Sequence, residues 1–195
     1  MASAPRHSYG SAANGQCVVL INGAFGVGKS TVAHALHRRV KGSRLYDPER
    51  IGYVLRRLPH WFPGSAAKLD DYRTSRAWRA LNLFAMRLHA RVARPLIVPM
   101  ALDLELLDVL RRALIAGGCR VVHVCLVAPE AIVHERLATR GVSPTSSEGK
   151  WVYPRASAAC RDHSTNDAFA HRIDTDGKDP LAVVEELCAF VGVNP

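Results

Sequence analysis

The chain has 195 residues, 48% of them hydrophobic, and a formal net charge of +9 at pH 7. That length suits one domain with a full core. No stretch reaches the ~18 consecutive apolar residues of a membrane span, Met1 to Gln16 lacks the apolar segment of a secretory signal, and five cysteines without C-x-x-C spacing argue against a disulfide framework or a zinc site.

A cytoplasmic protein is expected. Many arginines fall at helical spacing (Arg38, Arg39, Arg56, Arg57, Arg111, Arg112) and read as solvated helix surface. With no aromatic–basic interleaving and no recognition motif, no nucleic-acid partner is expected.

Residues 1–16 are small and polar, with too few apolar groups to offset ordering entropy, and read as a disordered leader; residues 17–195 form a single domain. Cys17 to Ile21 is an apolar run that reads as a buried strand. Gly23-Ala24-Phe25-Gly26-Val27-Gly28-Lys29-Ser30 follows, matching G-x-x-x-x-G-K-[ST] at every fixed position, and Thr31 to Val40 reads as a helix. Strand, glycine-rich turn and helix N-terminus together make an anion cradle: inward backbone N–H groups meet the positive end of the helix dipole. Residues 23–31 are therefore the nucleotide-binding candidates. Lys29 would reach the β- and γ-phosphates, and the Ser30 hydroxyl would ligate Mg²⁺.

Arg44 to Tyr46 reads as a short second strand, and Asp47-Pro48-Glu49 as a helix start with Asp as cap and Pro in the first turn. A carboxylate here also stands where an acceptor hydroxyl would lose its proton. Asp47 is thus a candidate base as well as a cap, with Glu49 as the alternative carboxylate. Lys68 to Val92 reads as a long helix with an apolar stripe at Ala77, Ala80, Leu81, Phe84, Leu88 and Val92. An acceptor pocket is expected between these two helices, lined from Arg50, Arg56 and Trp61 to Tyr72, Arg76 and Trp78.

Pro95 to Met100 is the third strand. It lacks the terminal Asp that many nucleotide hydrolases use to hold Mg²⁺; the nearest acid is Asp103, which favours a small kinase over a motor ATPase. A helix from Asp103 to Ala116, a fourth strand from Cys119 to Val127 and a helix from Pro129 to Arg140 follow. Arg136 and Arg140, four apart, share a helix face and are expected to neutralise charge on the transferring group. Residues 141–165 are polar and read as an irregular, mobile lid. His171 to Asp174 is a fifth strand, Ile173 to Pro180 a strand end, turn and helix start at the place where small P-loop kinases carry a loop that wraps the adenine, or else a plain connection, and Pro180 to about Val191 a last helix. Alternating strands and helices make an α/β three-layer sandwich with a five-stranded parallel sheet, the fold of P-loop hydrolases and kinases.

Five stretches carry a family resemblance: residues 21–30, Tyr46-Asp47-Pro48-Glu49, Trp78-Arg79-Ala80-Leu81-Asn82, Leu96-Ile97-Val98-Pro99-Met100 and Arg136-Leu137-Ala138-Thr139-Arg140. Through them the chain resembles the ATP-binding tunicamycin-resistance proteins, within the small-molecule P-loop kinases. The resemblance implies ATP and Mg²⁺ as cofactors and tunicamycin, a nucleoside with a fatty acyl tail, or a related nucleoside as partner. It implies resistance by phosphorylating a drug hydroxyl; sequestration without chemistry and a metabolic sugar or nucleotide kinase are the alternatives. Some relatives continue into a basic amphipathic tail. This chain stops soon after its last helix, so membrane association is not expected, and a monomer or homodimer is.

Overall fold

A computed structural model describes residues 15–61, 63, 65, 71–169 and 171–193. The expected leader lies almost wholly outside the described residues, as does the stretch around Lys68 expected to open the long helix. In chain order the elements are β1 (Cys17–Gly23), α1 (Lys29–Arg39), β2 (Arg44–Leu45), α2 (Glu49–Arg57), a 3₁₀ turn (Tyr72–Thr74), α3 (Arg76–Ala90), β3 (Leu96–Pro99), α4 (Leu104–Ala116), β4 (Arg120–Val127), α5 (Glu130–Thr139), α6 (Ser147–Thr165), a second 3₁₀ turn (Asp167–Phe169), β5 (Arg172–Asp174) and α7 (Pro180–Val191).

The five strands form one all-parallel sheet in the order β2-β3-β1-β4-β5. Its central strands β3, β1 and β4 are buried on both faces, which is why they read as apolar runs. Alternate side chains feed two cores. Val19, Ile21, Ile97, Val124 and Leu126 pack with α1, α5 and α7. Val18, Leu20, Leu96, Val98 and Val121 pack with α3 and α4. The connection after β1 runs to β2 on one side and the connection after β3 runs to β4 on the other, so they part between the carboxyl ends of β1 and β3. The crevice that opens there is where ligands of such sheets bind.

Two elements depart from the sequence reading. Residues 141–165 are not irregular: α6 covers 147–165, capped by Ser146, whose Oγ accepts from the Gly149 N–H at 3.0 Å. Its polar residues face outward while Val152, Ala156 and His163 are buried, and Pro154 within it obscured the periodicity. In α3 the expected apolar stripe points the other way. Trp78, Asn82, Met86 and Ala90 are buried, whereas Leu81, Phe84, Leu88 and Val92 are 46–69% exposed. Asn82 tolerates burial because its amide accepts from Tyr46 Oη at 2.7 Å and donates to the Trp78 carbonyl at 3.0 Å.

Candidate active site

The site begins with Asn22, the last side chain of β1 before the glycine-rich turn. Buried, it accepts from the Gly23 and Leu102 N–H groups at 2.7 Å each and donates to the Leu102 carbonyl at 3.1 Å. One amide thus fastens the start of the P-loop to the loop after β3. Gly23 then turns with φ of 149°, and a Cβ there would lie 2.6 Å from the Leu126 carbonyl oxygen, so only glycine fits. Gly28, with φ of 108°, faces open space where a side chain would otherwise project. Ala24 and Val27 are buried in the core; what they present to a phosphate is backbone. This is a cradle shaped for an anion.

Lys29 opens α1 and folds back over the loop, its Nζ donating to the Gly23 and Ala24 carbonyls at 2.9 Å each. Desolvation lowers its pKa to about 8, against the opposing pull of Glu49. Ser30 lies on the same turn. Both line a cavity of about 680 Å³ together with Phe25, Gly26, Gly28, Asp47, Glu49, Arg56, Arg73, Arg140, Glu148 and Trp151. Phe25 and Trp151 form its apolar wall, edge to face at 5.4 Å.

Asp47, one residue before the Pro48 cap of α2, both lines the cavity and accepts at Oδ1 from the Glu49 N–H at 2.9 Å. Glu49 projects into the same cavity. Burial and then the charge of Asp47 raise its pKa, with Lys29 and Arg73 pulling the other way.

The two arginines expected to act together are divided. Arg136 donates to the carbonyls of Val27 (3.1 Å) and Thr175 (2.7 Å) and to Thr175 Oγ1 (2.9 Å). It clamps the P-loop to the loop after β5 and lines a smaller cavity of about 170 Å³ with Thr31, Thr175, Lys178 and Pro180. That cavity lies where the loop after β5 meets the P-loop. Of the two arginines, Arg140 lines both cavities and Arg136 only the smaller.

The expected acceptor pocket is corrected. Trp78 is fully buried and donates from Nε1 to the Pro48 carbonyl at 3.2 Å, so it packs the core. Arg50, Trp61 and Arg76 are exposed and do not line the cavity; the Tyr72 side chain lies outside the described residues. Only Arg56 of that set contributes. In their place stand Arg73 and α6. Arg73 Nε donates to both carboxylate oxygens of Asp71 at 2.9 Å, and Nη1 to the Ala101 carbonyl at 2.7 Å. Burial would raise the Asp71 pKa, but hydrogen bonds from Arg73 outweigh it and hold the carboxyl low. Nothing in the sequence marked Arg73 out, because the contact with Ala101 joins segments 28 residues apart. Asp103, the nearest acid to β3, caps α4 through the Leu106 N–H at 2.8 Å and does not line the P-loop cavity.

Among the described residues no group of three or more His, Cys, Asp or Glu converges as a metal site. Mg²⁺ does not require one. It takes one or two protein oxygens and completes its shell with phosphates and water. A hydroxyl at Ser30 facing Asp47 and Glu49 fits that chemistry. All five cysteines are free, and no helix among the described residues is long and apolar enough to cross a membrane.

The AAA domain family model matches residues 18–150. No curated protein matches the sequence. Among solved structures, the tunicamycin resistance protein of Deinococcus radiodurans is similar at 33% identity and TM-score 0.72, covering 92% of this chain and 99% of that one. The shikimate kinase of Acinetobacter baumannii, solved with shikimate, is similar at 14% identity and TM-score 0.62, covering 91% and 94%. The APS kinase of Mycobacterium tuberculosis, solved with AMPPNP and APS, is similar at 17% identity and TM-score 0.59, covering 90% and 97%. The last two share the fold.

Proposed function

The chain belongs to the ATP-binding tunicamycin-resistance family within the small-molecule P-loop kinases, and from that premise we propose that it is a phosphotransferase moving the γ-phosphoryl group of ATP to a hydroxyl of tunicamycin or a related nucleoside. The observation that carries this reading is the convergence of Lys29, Ser30 and two carboxylates, Asp47 and Glu49, on one cavity.

Each residue has a task. The P-loop amides and Lys29 hold the phosphates, Lys29 exchanging its two carbonyl partners for phosphate oxygens. Ser30, with Asp47 or Glu49, would hold Mg²⁺, which when bound neutralises charge on the phosphates. Asp47 orients the acceptor hydroxyl or takes its proton. Arg140, reaching both cavities, stabilises charge on the transferring group. Arg136 supports this from the base side by fixing the P-loop against Thr175. α6 covers the cavity through Glu148 and Trp151, in the manner of a lid that excludes water.

One observation favours sequestration of the drug without chemistry: an oxygen of Asp47 is already committed to the Glu49 N–H. Mass spectrometry of tunicamycin after incubation with protein, Mg²⁺ and ATP separates the readings, with Lys29→Ala as control. A Lys29-dependent gain of one phosphoryl group supports the kinase. Unmodified drug on a protein that binds both ligands supports sequestration.

A further inference from the structure

A second compartment of about 350 Å³ adjoins the P-loop cavity, sharing Phe25 and Arg73 with it. One face of α6 walls both spaces. Glu148 and Trp151 line the first; Arg155, Ala158, Asp162 and His163 line the second. Glu148, Trp151, Arg155, Ala158 and Asp162 follow in steps of three and four, a single helical stripe about 21 Å long, with His163 beside its end. The two spaces therefore lie one after the other along α6.

The chemistry of the second compartment is balanced. Arg73 and Arg155 face Asp103 and Asp162, so an anion gains little net attraction. Arg73 is already held by Asp71 and the Ala101 carbonyl. The Arg155 guanidinium lies 4.3 Å over the Trp151 ring. His163 is 3% exposed, and its Nδ1 has no hydrogen-bond partner. Burial lowers its pKa; with Nε2 3.4 Å from the Leu102 carbonyl, the neutral ring donates there and offers Nδ1 as an acceptor. Phe25 and Leu102 supply flat and apolar walls. Donors and acceptors in equal measure beside an aromatic face suit a flat, neutral, hydrogen-bonding ring.

We propose that this compartment is a specificity subsite that seats a flat, neutral, hydrogen-bonding ring such as a nucleoside's base at one end of the acceptor, while the reacting hydroxyl lies beside Asp47 and Glu49. The proposal rests on the phosphotransferase reading above. It assigns substrate discrimination to α6, not to α2 and α3.

Ala158 is exposed at the compartment's edge, so Ala158→Trp fills the space at little cost to the fold. Calorimetric titration of the full chain with tunicamycin, uridine and ATP, alongside a melting curve, tests the assignment. The expected result is a loss of about tenfold or more in tunicamycin and uridine affinity with ATP affinity and melting temperature unchanged. Unchanged affinity for both compounds in the folded variant overturns the subsite. So does displacement of tunicamycin from the wild type by N-acetylglucosamine but not by uridine. Should Ala158→Trp fail to fold, the isosteric Asp162→Asn carries the same expectation. A wild type that binds uridine but not tunicamycin overturns the drug-kinase reading alone, and loss of that uridine binding in the variant still decides the subsite. A wild type that binds neither overturns both.

Discussion

Lys29 shows how much one side chain carries. Its ammonium is held by two loop carbonyls and desolvated to a pKa of about 8, so the free protein loses this charge just above neutrality. Phosphate binding requires the protonated form. kcat/KM for ATP is therefore expected to fall as pH rises through about 8, while Lys29→Arg, which stays charged, removes that limb from a pH–rate profile. The carboxylates divide differently. Asp47→Asn is expected to lower kcat by about 10²–10⁴-fold and to leave ATP affinity within about twofold of the wild type in a direct titration. Retained turnover would assign the proton to Glu49, whose raised pKa suits a base. Arg73 was not legible in the sequence, since its Ala101 contact depends on how the chain before α3 meets the loop after β3. Lys29 was legible, since its partners lie in its own loop.

At the scale of elements, α3 is the sharpest contrast between pattern and outcome. Both faces carry apolar groups, so periodicity identifies a helix without choosing its buried side. The larger Trp78 and Met86, with an Asn82 satisfied by Tyr46, won the core. Met86→Ala is expected to cost about 2–5 kcal/mol, whereas Phe84→Gln, on the opposite face at 69% exposure, stays within about 0.5 kcal/mol. Denaturant unfolding of both variants checks the orientation, and the reverse order of costs would refute it. The clamp made by Arg136 belongs to this scale too. Arg136→Met removes one hydrogen bond to the P-loop and two to the loop after β5. It is expected to weaken ATP binding more than it changes kcat, measured as a Kd shift against single-turnover rate.

The whole molecule responds to pH through histidines that are buried or partly buried. His123 packs against Phe169 with no partner for Nε2, and burial lowers its pKa from 6.5 to about 4. The unfolded chain takes up a proton first as pH falls. Stability from this group is therefore complete above 6.5 and is lost progressively down to about 4. His163 and His171 shift the same way. Melting temperature is expected to drop across that window, and His123→Phe to flatten the drop. The sequence by itself determined the strand–helix alternation, the parallel sheet and the P-loop, because these rest on local turn chemistry and on runs buried on both faces. It also determined that Asp47 leaves the second strand at the ligand-binding edge. Only the tertiary structure decided which face of α3 is buried, that residues 147–165 form a wall helix, that Arg136 clamps while Arg140 reaches the phosphate cavity, and that Arg73 stands in place of Trp78. Each of these is set by contacts between segments far apart in the chain, where the free energy of burial and hydrogen bonding depends on a partner that local sequence does not contain.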